Sequence, residues 1–207
     1  RQTGQVTLAC IPTAAFYFLP SVIRDYNEQY PKIRIRLLDL SANDGLEAVL
    51  RGEADFGINM MSGQHPDIEF VPLVNEPFVL ACRRDHELAK RSSVTWSELS
   101  DYRLIGVGRL SGNRMLLDHA LSGLSWRPQW FYEVQHLSTS LGMVEAGLGV
   151  SAMPSLAMPA ADHPTLVSVP LTDPVVNRTL GLVYRRGASL SPAAEKFVAI
   201  LLEQWPH

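Results

Sequence analysis

The sequence has 207 residues, of which 46% are hydrophobic and 19% are charged, and its formal net charge is −3. This composition is typical of a folded globular protein and excludes a disordered chain. The sequence contains neither a Lys/Arg stripe of the kind that binds nucleic acid nor an apolar run of the roughly 20 residues that cross a bilayer.

The first part of the sequence predicts alternating strands and helices. Pro12 turns the chain into a helix, and Pro31 ends it; its apolar residues recur every three or four positions. Asn43 or Asp44 is predicted to cap a second, short helix, which Gly52 ends. The predicted strands of this part are Val6–Ile11, Ile33–Leu37, Ala54–Asn59 and Phe70–Val74.

From Pro77 onwards the pattern predicts a second unit of the same kind. Ser111 begins one helix, Ser138 or Thr139 caps another, and Ser191 with Pro192 opens the last. The apolar face predicted for that last helix comprises Phe197, Val198, Leu201 and Leu202. The predicted strands are Phe78–Cys82, Leu104–Val107, Trp130–Val134, Leu148–Met153, Leu166–Leu171 and Leu180–Tyr184.

Strands separated by helices favour mostly parallel sheets, and two such units favour two lobes with a cleft between them. A ligand of an open α/β sheet binds beyond the carboxyl ends of the strands, where helix N-termini present free N–H groups. Four strand-to-helix turns are therefore predicted to face a ligand: Pro12–Ala14, Asn59–Met61, Val107–Ser111 and Gln135–Thr139.

The side chains in these turns have two interpretations each, and the sequence leaves both open. His136 either contacts an anionic ligand or lies at the surface with its ring bonded to backbone. Arg109 and Arg114 either pair with a ligand carboxylate or are solvated on a helix face. Met60 packs the lobe or lines an adaptable pocket. The hydroxyl residues are helix caps first, and ligand contacts only where a ligand occupies the same helix end: Thr13, Ser138 and Thr139.

Enzyme signals are weak. Ser111 is one position too late in its glycine-flanked run for a nucleophile elbow, and Gly112 misses the dinucleotide-loop spacing by one residue. We therefore predict no catalytic residue and no cofactor. No metal site is predicted either, because no two of the six histidines have metal-ligand spacing: His65, His86, His119, His136, His163 and His207.

The two cysteines, Cys10 and Cys82, lie in apolar runs. A chain of this length buries enough surface to fold without disulfides, so we interpret both as buried, reduced thiols. The chain does not open with a charged and then apolar signal sequence. We predict a cytoplasmic protein without membrane contact, and leave open an exported protein whose signal has been removed.

Several different short motifs follow one another along nearly the whole chain. The opening residues Thr3–Leu8 are followed by Gly52 and the run Asp55–Ile58, and the most specific match is Met143–Val150 with Met153-Pro154. In order and spacing, these motifs resemble the effector-binding domain of LysR-type transcriptional regulators.

The resemblance implies an α/β, two-lobed type-2 periplasmic-binding-protein-like fold, with two crossover strands joining the lobes and a ligand cleft between them. Lobe I would comprise residues 1–77 and 179–207, and lobe II residues 78–178. Together with the strand-end rule, the resemblance nominates these effector-binding residues: Ile11, Pro12, Thr13, Ala14, Asn59, Met60, Val107, Gly108, Arg109, His136, Leu137, Ser138 and Thr139.

A function also follows from the resemblance. A small organic or aromatic acid would bias the arrangement of the lobes and thereby control transcription. The resemblance implies a homodimer here, paired antiparallel through the helices near Leu19 and Leu116, and a homotetramer for the full-length regulator. DNA would be bound only through an N-terminal domain that this sequence lacks. The alternatives are a solute-binding protein of a transport system, which shares the fold, an enzyme on the same scaffold, and an oligomerisation module.

Overall fold

The computed structural model describes residues 4–61 and 65–205. The chain divides into two compact units. Unit 1 comprises Arg1–Asn75 and Thr179–His207, and unit 2 comprises Glu76–Arg178. None of the helices within the described residues is long and apolar enough to cross a membrane.

Unit 1 is a mixed sheet with helices packed on it. β1 lies between β2 and β3 and runs parallel to both, whereas β10 runs antiparallel to β3. β10 also neighbours β4. Within unit 1, the prediction of mostly parallel strands therefore holds for β1, β2 and β3, and β10 departs from it. The elements are β1 (Gly4–Cys10), α1 (Pro12–Tyr17), α2 (Leu19–Gln29), β2 (Ile33–Asp39), α3 (Ala42–Leu50), β3 (Phe56–Met60), the first half of β4 (Ile68–Arg83), most of β10 (Asn177–Arg185), and α6 (Pro192–Gln204).

The helices of unit 1 bury one apolar side each, as the periodicity predicts. Tyr26 of α2 is fully buried, and its ring centroid lies 5.1 Å from that of Phe197 of α6. The Tyr26 hydroxyl donates a hydrogen bond to the Ala193 carbonyl, at 2.9 Å, so the polar end of the ring is satisfied. Ser191 caps α6 by accepting from the Ala194 N–H. Leu202, which we placed on the buried face of α6, is 44% exposed, so that assignment is wrong.

Two local predictions for unit 1 need correction. The cap of α3 is Ser41, whose hydroxyl accepts from the Asp44 N–H, rather than Asn43 or Asp44. Asn43 and Asp44 both lie inside the first turn of α3, whereas Ser41 directly precedes Ala42, the first helical residue, and so occupies the cap position. The two strands predicted around Pro77 form a single strand, β4, because the exposed Pro77 is accommodated without ending it.

Unit 2 contains a second mixed sheet, with strand order β5-β9-β4-β8-β6-β7. β6 is parallel to β7 and β8, and β4 is antiparallel to β8 and β9. The elements are the second half of β4, a 3-10 turn (Glu87–Lys90), β5 (Val94–Thr95), a 3-10 turn (Ser97–Asp101), β6 (Leu104–Val107), α4 (Gly112–Ala120), β7 (Trp130–Val134), α5 (Leu137–Glu145), β8 (Val150–Pro154), a 3-10 turn (Ser155–Ala157) and β9 (Leu166–Thr172).

Two apolar clusters cover the two faces of this sheet. One surrounds the fully buried Trp96, whose indole N–H donates to the Pro174 carbonyl at 2.9 Å. The other lies under α5 and includes Leu141 and Val144. β5 and the two flanking 3-10 turns were not predicted, since two-residue strands carry no periodicity that a sequence window can detect.

Candidate functional site

The carboxyl ends of β1, β2 and β3 form one edge of the unit 1 sheet. The Ile11 N–H donates to the Ile58 carbonyl at 3.3 Å, and the Leu40 N–H donates to the Cys10 carbonyl at 3.0 Å. These bonds bring the turn after β1 next to the end of β3. The unit 1 residues predicted as effector contacts therefore lie together at this edge.

Their exposure differs, and so does what each can contribute. Pro12 is exposed at the start of α1, whereas Ile11, Thr13, Ala14 and Met60 are buried. Thr13 was predicted as a helix cap, but the cap position is Ile11, and Thr13 lies within the first turn. Thr13 is therefore a buried residue of this edge and not the cap of α1.

Asn59 links two elements of the edge. Its side-chain N–H donates to the Ala42 carbonyl at 2.8 Å, and its side-chain oxygen accepts from the Met60 N–H at 2.8 Å. Ala42 opens α3, so the amide of Asn59 fixes the start of that helix against the end of β3. Because both the nitrogen and the oxygen of its amide are hydrogen-bonded, Asn59 has a structural role at this edge, where it holds α3 against β3.

In unit 2 the corresponding edge is formed by the ends of β6 and β7. The Gly108 N–H donates to the Val134 carbonyl at 3.0 Å, and the Ser111 N–H donates to the Gly108 carbonyl at 2.9 Å. Val107 is buried, and Arg109 is exposed in the turn that leads to α4. The turn therefore presents one cationic side chain beside a helix N-terminus.

The N-terminus of α5 lies after β7. His136 is its cap residue, with extended backbone and no side-chain capping bond, so the prediction of Ser138 or Thr139 as the cap is wrong. Both hydroxyl residues lie in the first turn and are exposed, while Leu137 is half-buried. The His136 carbonyl accepts from the N–H groups of Thr139 and Ser140. The first N–H groups of a helix have no intrahelical partner, which makes this end favourable for an anion.

Arg114 does not take either of its predicted roles. Its side chain is 13% exposed, and Nε donates to Asp118 at 3.0 Å. Nη1 donates to the Val107 carbonyl at 3.1 Å, and the guanidinium lies 5.1 Å from the Trp130 ring centroid. The guanidinium thus holds the end of β6 against α4 and is occupied by the protein itself.

Sequence reasoning missed one polar cluster in unit 2. Arg178 and Glu76 are buried, at 2% and 6% exposure, and form an ion pair. Arg178 also donates to Asn113 in the first turn of α4. The available signal was an arginine between Val176 and Leu180, the segment in which the resemblance places a crossing between the lobes.

The described residues include no group of three or more His, Cys, Asp or Glu side chains placed to hold a metal ion. His207 and Thr3, both used in the sequence analysis, lie outside the part of the chain that the structure describes. Cys10 and Cys82 are buried thiols, as predicted. Burial raises the pKa of Cys82 to about 11.

Unit 2 also carries a surface hollow of about 230 Å³ that the sequence did not indicate. Arg83, Tyr102, Arg103 and Gly149 line it, at the start of β6 and of β8. The amino ends of these strands form the edge opposite the predicted turns. The hollow is therefore separate from the unit 2 turns predicted to bind an effector.

Comparison with known proteins gives consistent matches. The family described as LysR substrate binding domain matches residues 1–206. The chain is 57% identical over 202 residues to the uncharacterized HTH-type transcriptional regulator YbhD of Escherichia coli K12, covering 98% of this chain and 64% of the relative. It is 30% identical over 199 residues to the hydrogen peroxide-inducible genes activator of Escherichia coli O157:H7, covering 94% and 64%. The chain thus spans 64% of the length of each relative.

Among solved structures, the chain is similar to the effector-binding domain of QuiR in complex with shikimate. The TM-score is 0.82 at 23% identity, and the match covers 98% of this chain and 97% of the other. At that identity the likeness shows the fold alone. The predicted fold class, type-2 periplasmic-binding-protein-like, is confirmed.

Proposed function

Because the chain belongs to the LysR substrate-binding domain family, we propose that it is the effector-sensing part of a transcriptional regulator. The observation that carries this proposal is the match over residues 1–206, together with 57% identity to a protein named as a transcriptional regulator. The relatives reported above are regulators, which supports this reading over a transport-type solute-binding protein or an enzyme. The proposed place of action is the cytoplasm.

The proposed effector contacts are the exposed residues of the two sheet edges. In unit 1 the edge offers Pro12 over a mostly apolar surface, with Ile11 and Met60 beneath it. In unit 2 the edge offers Arg109 and the first turn of α5, headed by His136. We expect both edges to contribute contacts to the same molecule. The buried members of the predicted set, which include Thr13, Ala14, Asn59 and Val107, would shape these edges.

The proposed effector is a small organic or aromatic acid. A carboxylate suits the unit 2 edge, because Arg109 supplies a cation and the first turn of α5 supplies free N–H groups and a helix dipole. The apolar surface of the unit 1 edge suits the carbon skeleton of such an acid. Shikimate, which is bound in the structure of QuiR, and benzoate are members of this class and serve as first probes.

Peroxide sensing, suggested by the name of one relative, has less support here. A sensing thiol needs to be accessible and to ionise readily. Cys10 and Cys82 are both buried, and burial raises the pKa of Cys82 to about 11. Binding of an organic effector is therefore the preferred mode of sensing.

DNA binding and assembly are further parts of the proposal. The name of the YbhD relative contains HTH, and we propose that a helix-turn-helix segment of the whole regulator contacts the promoter. We propose that this chain forms an antiparallel homodimer and that the whole regulator forms a homotetramer. Sheet-edge strands β2 and β7, with helices α2 and α4 beside them, are the proposed contact surfaces.

Isothermal titration calorimetry of the 207-residue chain with benzoate, shikimate and a wider library of small carboxylates tests effector binding. For a library member that binds, Arg109→Ala and His136→Ala should each weaken binding about tenfold, since a hydrogen bond to a charged group contributes about 1.5–3 kcal/mol. The matched control is Arg127→Ala, because Arg127 is also exposed but lies in the loop before β7.

Two results would contradict the proposal. One is a folded sample that binds no member of the library. The other is an effector whose affinity falls equally with Arg127→Ala and with Arg109→Ala, because the sheet edge would then have no special role. If unit 1 variants such as Met60→Ala leave the affinity unchanged while unit 2 variants lower it, the effector contacts one edge only.

A further inference from the structure

The chain passes between the two units at two places, and both passages lie within strands. β4 passes from unit 1 to unit 2 between Asn75 and Glu76, and β10 returns between Arg178 and Thr179. The charged residues Glu76 and Arg178 are thus the first and the last residues of unit 2. Any change in unit 2 that reaches unit 1 through the backbone must pass through these two segments.

Glu76 and Arg178 form a buried ion pair at this position. Arg178 Nε donates to Glu76 Oε1 at 2.8 Å. Burial raises the pKa of Glu76, and the guanidinium of Arg178 opposes that effect. Apolar residues of similar volume often stabilise a protein as well as a buried ion pair does, so stability alone does not account for charge at this place.

The same guanidinium reaches a third element. Arg178 Nη1 donates to Asn113 Oδ1 at 3.0 Å, and Asn113 is the second residue of α4. α4 follows directly from the turn Val107–Ser111, which is part of the proposed effector-binding edge. A guanidinium is planar and holds its donors in a fixed fork, so its partners move together with it or lose their bonds.

We propose that Arg178 is a positioning residue that couples the first turn of α4 to both chain passages between the units. A molecule bound at the Val107–Ser111 turn would then affect the two segments that join the units. The effect would travel through the hydrogen bonds of Arg178 to Asn113 and to Glu76. This role adds to the proposed function, and its use in effector sensing rests on that proposed function. The coupling itself is a property of the unliganded chain and can be measured without any effector.

Amide hydrogen exchange of the 207-residue chain, followed by NMR, tests the coupling. The reporter is the Phe78 N–H, which donates to the Val176 carbonyl at 2.8 Å and so joins β4 to the residue directly before β10. The comparator in the same unit is the Val150 N–H, bonded to the Arg103 carbonyl at 3.0 Å. Both amides lie in unit 2, so a uniform loss of stability would raise both exchange rates by the same factor.

Asn113→Ala removes the hydrogen bond from Arg178 to α4 and leaves the ion pair of Arg178 with Glu76 in place. We expect it to raise the exchange rate of Phe78 about tenfold, the factor for one hydrogen bond to a charged group, and to raise that of Val150 much less. Arg178→Lys keeps the charge but loses the fork, and should show the same preference for Phe78. The matched control is Asn27→Ala, which breaks a side-chain bond to the Ile33 carbonyl in unit 1 and should leave Phe78 unchanged.

Equal factors at Phe78 and Val150 would overturn the proposal, because Arg178 would then only stabilise unit 2. An unchanged rate at Phe78 in Asn113→Ala, or the same change in Asn27→Ala, would overturn it as well. None of these results bears on whether the chain binds an effector. Conversely, a chain that binds no effector could still show the coupling, so the two proposals fail separately.

Discussion

At the scale of single residues, burial determines how the two cysteine thiols can react. Cys82 lies in β4 with no exposed surface, and Cys10 ends β1 with 1% exposed. Since an apolar environment disfavours a charged thiolate, the pKa of Cys82 is raised to about 11. At neutral pH this side chain is a small apolar group that fills space beside Leu80.

This environment predicts slow thiol chemistry. At pH 8 a thiol with a pKa of about 11 is ionised in only about one molecule in a thousand, and burial blocks access to that fraction. A disulfide reagent such as DTNB should label neither Cys82 nor Cys10 in the native chain within an hour, and both at once in denaturant. Ser138→Cys, which adds an exposed thiol on α5, provides the positive control. Rapid labelling of the native chain would disprove this and reopen peroxide sensing.

At the scale of secondary-structure elements, sequence patterns predicted the long elements and missed what depends on tertiary pairing. β6 and β7 were predicted with the observed bounds, because their apolar runs are bounded by turn residues. The caps of α3 and α5 were each placed two or three residues too late, since several Ser, Thr, Asn and Asp residues stand in a row. Only the folded backbone selects Ser41 at α3, and at α5 it selects His136, which lies before the hydroxyl residues.

The 3-10 turn Ser97–Asp101 shows how a local element can depend on one carboxylate. Glu98 accepts from Arg91 at 2.7 Å and from the Thr95 N–H at 3.1 Å. Chiefly because of the Arg91 hydrogen bond, and then those of Thr95, the pKa of Glu98 is lowered to about 2. An acid whose pKa is lower in the folded chain stabilises it fully above the unfolded pKa and loses that contribution as pH falls.

The pH dependence of stability should therefore change in Glu98→Gln. Between about pH 4.5 and pH 2 the wild-type chain loses the contribution of the Glu98 carboxylate, whereas the variant has none to lose. Urea unfolding at pH 6 and pH 3 should show a smaller drop in the free energy of unfolding for the variant. Glu28→Gln, on the exposed side of α2, controls for the loss of a surface carboxylate. Equal drops in wild type and Glu98→Gln would contradict the assignment.

At the scale of the whole molecule, the candidate site was only partly predictable. The rule that ligands bind at the carboxyl ends of parallel strands pointed to turns that the structure places together within each unit. The rule could not distinguish exposed residues such as Arg109 from structural residues such as Asn59, because that difference depends on hydrogen bonds between distant segments. Arg178 was missed for the same reason, since its partners are 102 and 65 residues away along the chain.

The proposed dimer gives a prediction at this scale. Strand β2 at the edge of the unit 1 sheet exposes Arg34 and Arg36, and edge strand β7 of unit 2 exposes Phe131 and Glu133. Opposite charges on the two edges suit antiparallel pairing of two chains. The double variant Arg34→Glu with Arg36→Glu should raise the dimer dissociation constant at least about tenfold, because like charges across an interface cost several kcal/mol.

Sedimentation or light scattering across a concentration series measures that constant. Adding Glu133→Lys to the double variant should restore part of the affinity. Arg185→Glu, at the end of β10 and away from both edges, should have no effect. A wild-type chain that stays monomeric at all concentrations would refute dimerisation of this chain, and an unchanged constant in the double variant would refute this choice of surfaces.

The division of unit 1 into two stretches of sequence also sets an order of assembly during synthesis. Unit 2 is one continuous stretch and has all its strands once Arg178 has left the ribosome. Unit 1 then still lacks β10 and α6, so one side of β3 is an unpaired edge and the Tyr26 hydroxyl has no acceptor at Ala193. Unit 1, whose synthesis begins first, is therefore completed last. Until β10 has been made, the unpaired edge of β3 is the part of the nascent chain most open to wrong pairing.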